Sequence, residues 1–135
     1  MAACRERQLM TVRELVGGEV IWVAPEATIR SAAVSMKSNG VGSVAVEVDG
    51  ALEGILTERD VLDAVADGAD LDFDRVDRWM TSYPDSIDPD MQVTEAAQWM
   101  LASGYRHIPV IDGDRILGMI SIKDVLWAMT EPSTV

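Results

Sequence analysis

The chain has 135 residues, 48% of them hydrophobic and 25% charged, which excludes a disordered polymer and suits one compact domain or two half-sized units. A net charge of −12 repels phosphate backbones, so nucleic-acid binding is not the main task, although a small phosphate ligand could be held by a few focused cations. No apolar run is long enough to span a bilayer and the start, MAACRERQLM, lacks the apolar core of a secretory signal; with Cys4 as the lone cysteine, a reducing cytoplasm away from membranes is expected.

Thr11-Val12-Arg13-Glu14 has capping-box spacing and predicts a short first helix that Gly17-Gly18 ends. Residues 20–24, VIWVA, read as an apolar strand. Pro25 and Thr28 then open an amphipathic helix whose buried stripe is Ile29, Ala32, Ala33 and Met36, with Gly40 as its stop. SVAVEV alternates as a strand, Asp49-Gly50 supplies a tight turn, and ALEGILT returns as the hairpin partner of that strand. TERDVLDAVADG is a closing helix, and LDFDRVDRWM links it to the second half of the chain. The same series then recurs as SID, VTEAAQWMLASG, HIPVID, GDRILGMIS and SIKDVLWAM, before a loose tail, EPSTV.

The recurrence has one register. Residue n pairs with residue n + 64 from Val12 to Thr130 without a gap. Pro25 matches Pro89, Ala32 and Ala33 match Ala96 and Ala97, Met36 matches Met100, Gly40 matches Gly104, Val46 matches Val110 and Gly54 matches Gly118. Asp60-Val61-Leu62 returns as Asp124-Val125-Leu126. The expected fold is mixed α+β, two β-α-β-β-α repeats at 11–70 and 71–130 with a tail at 131–135, each with a right-handed crossover between its first two strands.

The most informative repeat is GILTERD, which returns as GMISIKD. A capping box would explain Thr57 with Asp60 and Ser121 with Asp124. Three features point further. Capping boxes favour Glu or Gln where both copies carry the shorter Asp. Each helix start follows directly on a strand, at the carboxyl edge where open α/β sheets bind ligands. The first amides of a helix and its positive dipole end suit phosphate, while an ionised Asp accepts from two adjacent hydroxyls, the pair that a ribose carries. Phosphate and ribose together make a nucleotide.

On these residues the chain resembles a tandem pair of cystathionine-β-synthase (CBS) domains, the Bateman module, over nearly its whole length. GILTERD and GMISIKD carry the terminal motif, and Tyr105-Arg106-His107-Ile108-Pro109-Val110 adds a second one. The resemblance implies two CBS repeats related by pseudo-twofold symmetry and an adenine nucleotide, AMP, ADP or ATP, in the cleft between them. In one pocket it assigns ribose to Asp124, ribose or phosphate to Ser121, phosphate to Arg106 and His107, and adenine to backbone near Ser86, Ile87, Ile108 and Pro109; Lys123 is a further phosphate candidate. The other pocket has Thr57 and Asp60 with backbone near Trp22, Val23, Val44 and Ala45. There Gly42 and Ser43 stand in place of the basic pair and Ala45 in place of the proline, so only Arg59 or residues of the other repeat could clamp phosphate. The second site is therefore expected to bind more tightly, and the first to be weak or vacant. S-adenosylmethionine, NAD and a cyclic dinucleotide remain open beside AMP and ATP.

Trp99 and Trp127 stand where the first repeat has Ser35 and Asp63. Indoles at positions that are otherwise polar suit an isologous helix contact, so a homodimer with Trp99 and Trp127 at or near its interface is expected. One histidine, one cysteine, no Walker-type loop and no clustered metal ligands argue against an enzyme, a catalytic cofactor or a metal site. The expected function is a stand-alone ligand-sensing regulator acting on a separate, unknown effector protein. The alternative is a dimerisation scaffold with degenerate nucleotide sites.

Overall fold

The computed structural model describes residues 10–17 and 20–130, in two compact units. Expectations that concern Cys4 and its neighbours, Gly18 and the tail at 131–135 fall outside these residues. In chain order the elements are α1 (Val12–Leu15), β1 (Trp22–Val23), α2 (Ile29–Asn39), β2 (Ser43–Val48), β3 (Ala51–Thr57) and α3 (Glu58–Ala66). There follow α4 (Val76–Trp79), β4 (Thr81–Ser82), α5 (Val93–Ser103), β5 (His107–Asp112), β6 (Arg115–Ser121) and α6 (Ile122–Thr130). The fold is mixed α+β, as the alternating patterns require.

In the unit of residues 20–84 the sheet order is β1-β2-β3-β4; β1 runs parallel to β2, and the other pairs are antiparallel. Asp49 and Gly50 both take positive φ, 52° and 81°, the backbone that a two-residue hairpin turn demands. Thr28 caps α2 by accepting from the Ser31 amide at 3.1 Å, and Gly40 ends it in the left-handed region at φ 65°. The stripe on α2 is buried at Ile29, Ala32 and Met36; Ala33 is part-exposed.

The other unit joins residues 10–17 to residues 85–130. Among its described residues β5 and β6 pair antiparallel, Ile87 forms a lone parallel bridge with Val110, and α5 ends at Gly104, φ 78°. The first strand of each repeat is thus shorter than expected: VIWVA contributes Trp22–Val23, and SID contributes one bridge. Pro25 follows the first of these segments, and Pro84 and Pro89 bracket the second, removing amides that a longer ladder would need.

The capping box expected at Thr11 does not form. The Glu14 amide, which a box would use, donates to the Thr11 carbonyl at 3.1 Å, and the Val12 and Arg13 amides donate to the Met91 and Pro89 carbonyls, both at 2.8 Å. The other unit repeats the arrangement. Val76 N donates to Ala27 O at 2.8 Å and Asp77 N to Pro25 O at 3.0 Å. Each lead segment therefore lies against the start of a main helix: α4 beside α2, and α1 beside α5.

The compact units consequently divide the chain differently from the 64-residue repeat. Ile29, Ala32, Met36, Val44, Val46, Leu56 and Ala64 form one core with Val76. Val93, Ala96, Met100, Ile108, Val110, Ile120 and Ala128, each 64 positions further on, form the other core with Val12. Both valines have no exposed surface. Val12 opens the first repeat in sequence yet completes the core of the second.

Candidate functional site

β3 runs straight into α3, and Thr57 is both the last strand residue and the helix cap. Its amide donates to Asp60 Oδ2 at 2.8 Å and its hydroxyl to the same oxygen at 3.1 Å, while the Asp60 amide donates back to Thr57 Oγ1 at 3.3 Å. At the junction of β6 and α6 the Ser121 amide donates to Asp124 Oδ2 at 2.9 Å and the Asp124 amide to Ser121 Oγ at 3.1 Å. Both motifs are therefore capping boxes after all. The short Asp suffices, which corrects the expectation that its length argues against capping. All of this bonding uses Oδ2; among the described residues, Oδ1 of Asp60 and of Asp124 accepts nothing. In each motif a single oxygen fixes the helix start.

The two carboxylates differ in surroundings. Asp124 is exposed, whereas Asp60 is part-buried, and its burial pushes the pKa above the ordinary 3.8. The bonds from the Thr57 backbone and hydroxyl pull it down, and nearby Asp63 adds to the rise. With the pKa raised, the folded chain holds this proton more tightly than the unfolded chain. The stabilising contribution is complete below 3.8 and is lost as pH climbs through the raised value. Asp60→Asn has no such proton to release, so the melting temperature of wild type relative to Asp60→Asn should be higher at about pH 4 than at about pH 7. A gap that widens toward neutral pH would contradict the assignment.

The remaining second-repeat residues are gathered within one unit. His107 lies opposite Ser121 in the β5–β6 register, and the carbonyl of exposed Arg106 accepts from the Ile122 amide at 2.8 Å. Lys123 is exposed on the first turn of α6, next to Asp124. Ile87, Ile108 and Pro109 are buried and Ser86 is exposed. Three backbone groups in the stretch assigned to adenine are already engaged: Ile87 N donates to Pro109 O at 3.0 Å, and Ile87 O accepts from Ile111 N at 3.1 Å. In the first repeat Ser43 lies opposite Thr57, Gly42 O accepts from Glu58 N at 2.9 Å, and β1 sets Trp22 beside Ala45 and Val23 beside Val46. Val44 is fully buried, and Arg59 is exposed on α3.

Sequence reasoning did not reach one contact chain in the second repeat. The Tyr105 hydroxyl donates to Asp85 Oδ2 at 2.8 Å, and its ring stacks on Trp99 with centroids 5.3 Å apart and planes at 18°. The available signal was the unmatched chemistry of Tyr105 and Asp85, which stand where the first repeat has Val41 and Ile21.

The glycine of each motif has a packing role. A Cβ on Gly54 would lie 2.4 Å from Met80 Sδ and 2.9 Å from the Thr81 carbonyl oxygen; on Gly118 it would lie 2.5 Å from Val16 Cγ1. The residues just after each lead helix press on the strand there, and a side chain has no room.

The CBS domain family model matches residues 12–67 and again 75–131. The chain belongs to the CBS domain family. The CBS domain-containing protein YhcV of Bacillus subtilis is 31% identical over 118 residues, covering 87% of this chain and 84% of that protein. Among solved structures, a CBS-domain containing protein from Agrobacterium tumefaciens superposes with a TM-score of 0.83 at 31% identity, covering 90% of this chain and 94% of the other. A CBS domain protein from Pyrobaculum aerophilum, solved complexed with AMP, gives a TM-score of 0.78 at 26% identity, covering 91% and 100%. Among the described residues of this CBS pair, no helix is long and apolar enough to cross a membrane, and no group of three acidic, histidine or cysteine side chains is placed to hold a metal ion.

The two indoles of the second CBS repeat have different surroundings. Trp99 is part-buried against the core of its unit, whereas Trp127 is 59% exposed on α6 beside exposed Leu126 and Met129.

Proposed function

We propose that this CBS pair is a regulatory module that binds an adenine nucleotide, AMP, ADP or ATP, through the Ser121–Asp124 site. The observation that carries the reading is the divided Asp124 carboxylate: Oδ2 fixes the helix start, and Oδ1, with two lone pairs, is left for the two ribose hydroxyls. Arg106, His107 and Lys123 stand beside it for the phosphate, and the first amides of α6 add positive potential. The AMP complex of the Pyrobaculum relative supports this choice of ligand. Ser86, Ile87, Ile108 and Pro109 border the adenine.

The first repeat offers Thr57, Asp60, Val23 and Val44 in the same pattern without the cations. Arg59 is the one cation in a stretch that also carries Glu58, Asp60, Asp63 and Asp67, and the Thr57 hydroxyl is already donated to Asp60. That site is weak or vacant for phosphorylated ligands, so one tight site per chain is expected. The role is regulatory rather than catalytic, toward an effector of unknown identity, and the lone cysteine fits a cytoplasmic setting.

Thermal denaturation with added AMP, ADP or ATP tests the reading. At a hundredfold excess over Kd the ligand stabilises the fold by about 2.7 kcal/mol, a readily measured rise in melting temperature. No rise with any adenine nucleotide up to millimolar concentration would refute it. The second reading, a dimerisation scaffold, draws on the apolar surface of α6. It proposes a homodimer with Trp127, and Trp99 behind it, at or near the interface; it gains ground if the chain is dimeric and indifferent to nucleotides.

A further inference from the structure

We infer that Tyr105 and Asp85 are positioning residues for the phosphate side of the second-repeat site, acting through Arg106 rather than by touching ligand. The inference rests on the nucleotide reading above.

Arg106 has an exposed side chain on the turn that enters β5, a place where the backbone would ordinarily be free to shift. It is held at both ends. On one side its carbonyl accepts the Ile122 amide at 2.8 Å, tying it to the first residue of α6 and so to the Ser121–Asp124 cap. On the other, the residue immediately before it, Tyr105, is fixed twice. The ring lies against Trp99, which packs on the buried core, and the hydroxyl donates at 2.8 Å to Asp85. Asp85 precedes Ser86 and Ile87, and Ile87 bonds through both its amide and its carbonyl to the β5 backbone. Tyr105 is thus tied to a helix anchored in the core and, through Asp85, to a segment fixed on the sheet.

The comparison within the chain supports a specific role. In the first repeat the strand Trp22–Val23 pairs with β2, no cation follows position 41, and positions 21 and 41 are Ile and Val. In the second repeat the strand is reduced to one bridge, a cation stands at 106, and the Tyr–Asp tie is present. The tie accompanies the cation and spans the place where backbone pairing is thinnest. Tyr105 is a poor candidate for direct ligand contact, since one ring face lies on Trp99 and the hydroxyl proton is committed to Asp85. That hydrogen bond, followed by the charge of Asp85, raises the phenol pKa above its usual 10.0, so Tyr105 stays protonated and keeps donating.

Isothermal titration of the full chain with AMP and with adenosine tests the inference. Tyr105→Phe keeps the ring on Trp99 and removes the donor, and should weaken AMP by about fivefold, the worth of one net hydrogen bond, while adenosine changes by less than about twofold. Asp85→Ala should repeat the selective loss, Asp85→Asn should recover most of it through its amide oxygen, and Asp85→Ala should add nothing in the Tyr105→Phe background. Wild-type AMP affinity in Tyr105→Phe, or equal loss of AMP and adenosine, overturns the inference while leaving the nucleotide reading intact. Failure of the wild type to bind AMP removes both.

Discussion

Replacing Gly54 by alanine should lower the melting temperature by about 10 °C, equivalent to about 2–3 kcal/mol of overpacking. The added methyl would meet two different neighbours. Met80 Sδ, 2.4 Å away, belongs to a flexible side chain that can swing aside at modest cost. The Thr81 carbonyl oxygen at 2.9 Å is backbone and moves only if β4 moves, and β4 is paired to β3 at Gly54 and Ile55 themselves. Relief therefore requires opening an edge strand and loosening Val76, the fully buried residue that α4 contributes to this core. Gly118→Ala meets Val16 Cγ1 alone at close range, a side chain on a short lead segment, and should cost about half as much. Scanning calorimetry of both variants checks the order. A Gly54→Ala chain that melts with wild type would show that the strand and the Met80–Thr81 segment do not approach so closely. AMP affinity in the surviving folded fraction should not change, because this glycine packs and does not bind.

Asp124→Ala should weaken AMP by at least about 100-fold, the loss expected when charge-assisted hydrogen bonds to two sugar hydroxyls disappear. The same substitution removes the acceptor of the Ser121 amide, so the unliganded chain should also lose about 1 kcal/mol of stability. The two effects separate with Asp124→Asn, whose amide oxygen can keep the cap while the charge toward the ribose is gone. Asn should restore stability and leave the affinity poor. Asp60→Ala should alter AMP affinity by no more than about threefold, since the first repeat lacks the cations a phosphate needs. Titration calorimetry decides between the sites: an Asp124→Ala chain that still binds AMP at wild-type strength would move the site elsewhere.

Much of this architecture was legible because its causes are local. The helices that stop at Gly40 and Gly104, the Asp49-Gly50 hairpin and the abrupt β3–α3 and β6–α6 junctions all arise from neighbours within a few residues, and the 64-residue register shows the same local signals written twice. What was not legible depends on pairings that no short motif announces. Thr11 carries a capping signature, yet the Arg13 amide is claimed by the Pro89 carbonyl and the Glu14 amide by the Thr11 carbonyl. The stack of Tyr105 on Trp99 has no counterpart at Val41 and Ser35 from which to read it. Asp85 has no local motif at all. For the candidate site, sequence brought out the paired carboxylates and the imbalance of cations, while the division of labour between Oδ1 and Oδ2 became visible only with the bonds in place.

The crossing of Val12 and Val76 also sets an order on how the chain can mature as it leaves the ribosome. The earlier body has its last core residue in hand once α4 emerges, soon after its own closing helix. The lead segment around Val12 must meanwhile wait, with its apolar face unsheltered, until α5 and the hairpin beyond it have been synthesised. The net charge of −12 guards that interval by mutual repulsion between nascent copies. Slowing translation within the second half should therefore prolong exposure of residues 10–17 to proteases while the body around Ile29 and Leu56 is already resistant.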